Sequence, residues 1–258
     1  MHAPRFAERL ERLLFGLYKS LHRGKRHLLV APFPKSASLY FCHLLSKITG
    51  FPKVSIKCGK GWGHNCIHAS ALVDAMSRDN IIMQHLMPDD YNIDMLQSLG
   101  PQVLLIHRDI FDVVVSYRDH LVKRAGKEPL YTVPNGQLLS FTPERQLDYV
   151  VDMIMPWYIQ FYAAWERVDP KRLSKQWIDY EQVTGEPVTA LEMTVRFYGL
   201  DVTSERVKAV VAEHGLRQVN FNMGVTGRGR DALSSAQKAR IRALTAYHPD
   251  IDFSRIGL

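Results

Sequence analysis

The apolar positions of this chain form short unbroken runs alternating with stretches of helical spacing. Residues 27–33 (HLLVAPF) are a run suited to a buried strand. Residues 38–49 follow, with Phe41, Leu44, Leu45 and Ile48 on one helical stripe that Gly50 and Pro52 terminate. A second strand–turn–helix unit begins at residues 103–107 (VLLIH), turns at Arg108-Asp109 and continues into a helix carrying Val113, Val114, Tyr117 and Leu121. Strand alternating with helix predicts an α/β protein, a three-layer α/β/α arrangement around a central, mainly parallel sheet covered on both faces.

The rest of the chain reads less regularly. Residues 57–68 (KCGKGWGHNCIH) are too rich in glycine for a regular element, and residues 127–140 form another Pro- and Gly-containing loop. Thr142, as cap, and Pro143, in the first turn, open one long helix whose Leu147, Val151, Ile154, Tyr158, Phe161 and Trp165 share a core-facing side. Residues 175–179 (KQWID) predict a further strand, and residues 187–198 and 204–214 predict helices. A glycine-rich turn, 224–229, precedes a last helix with a capping box of Ser234 and Gln237. Residues 5–26 set Phe6, Leu10, Leu13, Leu14, Leu17 and Leu21 at helical spacing among basic residues. We expect residues 1–26 to form an amphipathic helix packed on a single domain of residues 27–258, with weak membrane-surface association through 5–26 as the lesser alternative.

Length and charge narrow the function classes. With 258 residues, 46% of them hydrophobic, the chain is long enough for one substantial core. No apolar run is long enough to cross a bilayer and no signal segment is evident, so we expect a cytoplasmic protein. Cys42, Cys58 and Cys66 are odd in number and at no paired spacing, which fits thiols in a reducing compartment. Cys58, His64, Cys66 and His68 match no standard zinc spacing, and we expect no metal. A net charge of +7 favours an anionic partner. The basic residues are scattered and no nucleic-acid module is recognisable, so nucleic acid is not the expected partner.

Candidate chemistry concentrates at Pro34-Lys35-Ser36-Ala37-Ser38-Leu39-Tyr40, where a strand ends and a helix begins. Backbone N–H groups and the positive end of the helix dipole make such a junction an anion site, and Lys35 and two serines add charge and donors. An ordinary helix start is the alternative reading of this segment alone. Arg108, at the end of the second strand, offers a bidentate charged donor, and Ser116 on the following helix offers a hydroxyl.

Together these segments resemble the PAPS-dependent sulfotransferases, enzymes that use 3′-phosphoadenosine 5′-phosphosulfate (PAPS). The family's 5′-phosphosulfate loop is usually Pro-Lys-Ser-Gly-Thr-Thr-Trp; here Pro34, Lys35, Ser36 and Ser38 match, Ala37 replaces glycine, Leu39 replaces a threonine, and Tyr40 stands at the tryptophan. Ala37 fits the glycine position if its φ is negative. Arg108 through Tyr117 resembles the 3′-phosphate motif Arg-Asn-Pro-x-Asp-x-x-x-Ser-Tyr. Asp179-Tyr180-Glu181-Gln182, Pro187 and Phe197-Tyr198-Gly199-Leu200 resemble a later segment, which brings Tyr180 near the adenine. Gly224 to Arg230 resembles the glycine-rich loop over the 3′-phosphate, with Asn222-Met223 where the family has Arg-Lys.

The resemblance implies a P-loop NTPase-like sulfotransferase fold and PAPS as co-substrate without a metal. It assigns Lys35, Ser36, Ala37, Ser38, Tyr40, Arg108, Ser116, Tyr180, Gly227, Arg228 and Gly229 to the nucleotide, the turn backbone adding a nest of N–H donors. It also implies an acceptor, a small molecule, carbohydrate or lipid, that receives the sulfuryl group on a hydroxyl or amine. His85, in Gln84-His85-Leu86-Met87-Pro88, resembles the family's Lys-Thr-His-Leu-Pro and is the expected general base, with Lys35 as the second catalytic residue. Three alternatives stand: an ATP-using P-loop kinase, although the Gly-x-x-x-x-Gly-Lys spacing is absent; a basic binding protein; and a PAPS-binding protein without catalysis.

Overall fold

The computed structural model describes residues 24–57, 65–100, 102–125, 137–214 and 226–258, together with Leu13, Gly16, Leu17 and Ser20. Five strands, β1 (His27–Pro32), β2 (Lys53–Val54), β3 (Asn80–Met83), β4 (Gln102–His107) and β5 (Ser174–Asp179), form one sheet in the order β2-β3-β1-β4-β5. Every neighbouring pair is parallel. The register sets Leu29 beside Val103 and Leu105 beside Trp177.

The short apolar runs are explained by burial on both faces. Leu28, Val30, Leu104 and Ile106 face one layer, where they meet α1 (Ser38–Thr49) and the later helices α9 (Pro187–Phe197) and α10 (Ser204–Glu213). Leu29, Ala31, Val103 and Leu105 face the other layer. That layer holds α2 (Ala69–Met76), α3 (Asp90–Leu99), α4 (Ile110–Arg124), α5 (Gln137–Ser140), α6 (Pro143–Met153) and α7 (Met155–Arg167). The remaining helices are α8 (Tyr180–Gly185), α11 (Arg228–Ala232) and α12 (Ser235–Ala243). The expected three-layer α/β/α architecture is therefore the observed one.

Two expected elements are different: residues 137–140, expected as the end of a loop, form α5, and an expected long helix is divided. The single helix opened by Thr142 is two, α6 and α7, meeting at Ile154. Pro156 accounts for the break, because proline lacks the N–H of an interior helical position and restricts the residue before it. The cap itself forms as expected, with Thr142 Oγ1 accepting from the N–H of Arg145. Strands β2 and β3 and helices α2 and α3 had no assignment from the sequence pattern.

The expectations for residues 1–12, Leu14, Leu21, Cys58, His64, 126–136 and 215–225 lie outside the described residues. Of the N-terminal segment, Leu13 and Leu17 are helical and exposed. Among the described residues, Cys42 and Cys66 are free thiols, no three His, Cys, Asp or Glu side chains gather as a metal site would require, and no helix is long and apolar enough to cross a membrane.

Trp165 closes the larger layer: it is fully buried, and its Nε1–H donates to the Leu86 carbonyl at 2.9 Å. Trp165→Ala removes both the packing and that donor. A loss of about 3–5 kcal/mol in urea unfolding is expected, and a loss below about 1 kcal/mol contradicts this packing role.

Candidate functional site

All five strands run in the same direction, so their C-terminal ends share one edge. The connections leaving β1 and β4 depart to opposite sides of the sheet, which opens a crevice between those two ends. Four segments meet at this edge: residues 33–37 after β1, His85 after β3, Arg108 after β4 and Tyr180 after β5.

The residue 32–35 backbone is held by its carbonyl groups. Pro32 O accepts from His85 Nδ1–H at 2.8 Å, Phe33 O from the Ser36 hydroxyl at 2.7 Å, Pro34 O from the Tyr158 hydroxyl at 2.9 Å, and Lys35 O from Arg108 Nη1 at 3.3 Å. In a trans peptide the C=O and the next N–H point in opposite directions. Anchoring Pro34 O and Lys35 O therefore turns the N–H groups of Lys35 and Ser36 away from Tyr158 and Arg108. The next amides belong to the start of α1, whose first intrahelical bond runs from Phe41 N–H to Ala37 O at 3.1 Å. The N–H groups of Ser38, Leu39 and Tyr40 consequently have no acceptor within the helix.

That helix start has no side-chain cap, as is also the case at α2, α7, α9 and α11. Asp89, Asp109, Thr142, Asp179, Thr203 and Ser234 cap six other helices through their side chains. At α1 the cap position is Ala37, which has no side-chain acceptor, and the first turn carries no acid. Dipole and amides together favour an oxyanion at this end.

Ala37 corrects one expectation. Its φ is +61° rather than negative, and Lys35 also lies in the left-handed region at +70°. Two L-residues hold conformations that normally suit glycine because the carbonyl anchors over-determine the loop.

Charge at this loop is strongly positive. Burial lowers the Lys35 ammonium to about 8, and Arg124, Arg108 and Lys123 push in the same direction, with Asp119 opposing. A buried ammonium among cations is stabilised by an oxyanion arriving beside it. Arg108 is 6% exposed, stacks over the Tyr180 ring at 3.9 Å and lies 3.7 Å from the Asp112 carboxylate. Ser116, also buried, lies one helical turn beyond Asp112 on α4.

The glycine turn docks on the same helix. Asp112 Oδ2 accepts from Gly227 N–H at 2.8 Å and Oδ1 from Gly229 N–H at 2.7 Å. Gly229 touches the α4 backbone so closely that a Cβ there would lie 2.1 Å from the Phe111 carbonyl carbon. Arg228 pairs with Asp119 at 3.0 Å. The N–H groups expected to form an outward nest at Gly227 and Gly229 are thus directed at Asp112 instead, because a buried carboxylate with two acceptor oxygens lies directly against the turn.

The structure brings Lys35, Ser36, Ala37, Ser38, His85, Arg108, Tyr180 and the 227–229 turn to one edge, with Ser116 on the adjoining helix. Two side chains are placed differently from the expected roles. The Ser36 hydroxyl proton is used on Phe33 O. Tyr40 is 3% exposed within the apolar cluster behind the sheet, whereas its neighbour Leu39 is 53% exposed. Tyr40 lies on the core-facing stripe of α1, so its ring is covered by protein. Sequence reasoning gave no role in the site to Tyr158, or to Asp112, which stands at the aspartate of the motif that Arg108 opens. The Tyr158 hydroxyl was hidden within an apolar stripe, while Asp112, four residues after Arg108, carried the spacing of an ion pair.

No family model matches the chain, and no curated protein matches it. Solved structures do. Mouse sulfotransferase SULT7A1 complexed with PAP is similar over 94% of this chain and 90% of its own, with 16% identity and a TM-score of 0.66. Sulfotransferase STF1 from Mycobacterium tuberculosis H37Rv is similar over 91% of this chain and 81% of its own, with 12% identity and a TM-score of 0.52. The chain has the fold of these sulfotransferases.

Two outcomes follow from the loop. Left-handed geometry costs an L-residue ~1–2 kcal/mol and glycine loses ~0.5–1 kcal/mol of backbone entropy, so Ala37→Gly is expected to raise stability by up to about 1 kcal/mol in urea unfolding. A clear destabilisation contradicts the strained geometry. For Lys35, the unfolded chain keeps its proton up to about 10.5 and the folded chain up to about 8. Stability therefore rises with pH between these values relative to Lys35→Met, and a flat difference across that window contradicts the buried, cation-surrounded ammonium.

Proposed function

We propose that the chain is a sulfotransferase that takes PAPS as donor and moves its sulfuryl group to a hydroxyl or amine. The observation that carries this reading is the loop at residues 32–37, its carbonyl groups anchored between a histidine on one side and a buried arginine on the other, so that the buried Lys35 and the first amides of α1, which have no acceptor within the helix, suit an oxyanion. The likeness in fold to sulfotransferases, one of them complexed with PAP, supports it.

In this reading the 5′-phosphosulfate rests on the α1 amides and Lys35, and the 3′-phosphate on Arg108 and Ser116. Tyr180 supports the Arg108 guanidinium from below, at 3.9 Å, and borders the adenine. Tyr40 contributes through the packing of α1, and Arg228 adds positive charge beside the turn. The His85 Nδ1–H bond to Pro32 O places the basic lone pair on Nε2. The acceptor oxygen or nitrogen attacks sulfur while Nε2 takes its proton. The bond from sulfur to the bridging phosphate oxygen breaks, and that oxygen leaves with its electron pair as part of 3′-phosphoadenosine 5′-phosphate. Lys35 and the helix amides stabilise the negative charge that grows on it. The unpaired thiols Cys42 and Cys66 support a reducing, cytoplasmic setting.

Isothermal titration with 3′-phosphoadenosine 5′-phosphate, against ATP with Mg²⁺, tests the donor site. The bisphosphate is expected to bind without metal and to lose at least about tenfold in affinity in Lys35→Ala and in Arg108→Ala. His85→Ala, which also removes one loop anchor, is expected to lose less of that affinity than Lys35→Ala or Arg108→Ala and to lose transfer from PAPS. Preference for ATP with Mg²⁺ contradicts the reading in favour of a phosphotransferase. Binding that survives both donor-site substitutions places the nucleotide elsewhere.

A further inference from the structure

Asp112 is a buried carboxylate, 2% exposed, on which two parts of the site converge. Its two oxygens accept the N–H groups of Gly227 and Gly229 at 2.8 and 2.7 Å, and Oδ2 lies 3.7 Å from Arg108 Nη2. Arg108 in turn reaches Lys35 O through Nη1 and lies over Tyr180. One carboxylate thus joins the glycine turn, with its Arg228 and Arg230, to the arginine that holds the loop after β1.

We infer that Asp112 is a positioning residue that makes the site selective for a 3′-phosphorylated nucleotide, an inference that rests on the PAPS reading. It keeps the Arg108 guanidinium rotated over Tyr180 and holds the cation-bearing turn beside it, so that a phosphate at Arg108 meets groups already in place. The geometry requires a carboxylate. Two N–H donors aimed at one side chain need two acceptor oxygens, and asparagine offers one oxygen and an NH₂ that opposes the second donor. Gly229 completes the joint, because the turn reaches Asp112 only by lying against the Phe111 backbone, where a Cβ has no space.

Charge and position act in opposite directions at Asp112. Removing a negative charge from beside a phosphate strengthens phosphate binding if Coulomb repulsion is all that matters. It weakens binding if the carboxylate acts by holding the donors in place.

The test compares 3′-phosphoadenosine 5′-phosphate with adenosine 5′-monophosphate, which lacks the 3′-phosphate, by calorimetry on the full chain. The wild type is expected to prefer the bisphosphate by at least about tenfold. In Asp112→Asn that preference should fall by about tenfold while the affinity for the monophosphate stays within about threefold. Gly229→Ala, which keeps the carboxylate and Arg108 and only lifts the turn, should lose the preference in the same way. A preference that is kept or increased in Asp112→Asn overturns the inference, and so does an equal loss for both nucleotides, the mark of a structural role alone. A wild type that prefers neither nucleotide contradicts the PAPS reading itself, an outcome distinct from a wild-type preference that survives the variants.

Discussion

The hydrogen bonds to four consecutive backbone carbonyls, Pro32 through Lys35, are the constraint on which the candidate site depends. The donors come from separate places: His85 after β3, Ser36 in the loop, Tyr158 on α7 and Arg108 after β4. Each bond of this kind contributes only about 1 kcal/mol net, but their geometric effect is larger. They fix peptide planes in a segment where Lys35 and Ala37 take left-handed conformations that an unanchored chain would avoid. The same bonds that orient the amides also place the base candidate and the arginine against the loop.

Electrostatics follows from that geometry. A helix start without a side-chain cap, a lysine lowered to about 8 by burial and neighbouring cations, and a buried arginine stacked on tyrosine are each unfavourable or unfinished alone. An oxyanion resolves all of them together, by accepting from the amides and balancing the cations. Asp112 and Asp119 are the acids on the facing helix, and both are engaged: one with the glycine turn and Arg108, the other with Arg118 and Arg228. The acids thus organise the cations around them.

Much of this was legible in the sequence because parallel strands buried on both faces leave unbroken apolar runs, as at residues 28–31 and 103–106. The β1 loop and α1 were bounded closely, since Gly50 and Pro52 mark a stop that tertiary contacts do not override. Strands β2 and β3 were missed: β2 has two residues, and β3 reads NIIM, too short for its period to show. The α6–α7 break was missed because the apolar stripe continues across it while the backbone follows Pro156. At the site, the family resemblance pointed to Lys35, His85 and Arg108, which the fold brings to one edge. It did not give the direction of an amide or a hydroxyl, so the occupied N–H groups of Gly227 and Gly229, the buried ring of Tyr40 and the anchoring hydroxyl of Tyr158 appeared only in three dimensions.

The most direct measurement is a ¹H–¹⁵N spectrum of the chain followed during addition of 3′-phosphoadenosine 5′-phosphate in the absence of metal. The account predicts the largest shifts at the backbone amides of Lys35, Ser36, Ser38, Leu39 and Tyr40 and at the Arg108 guanidinium, with the Gly227 and Gly229 amides, already bonded to Asp112, moving less. Shifts confined to another part of the surface, or none until Mg²⁺ is added, would contradict an anion site built by the anchored loop.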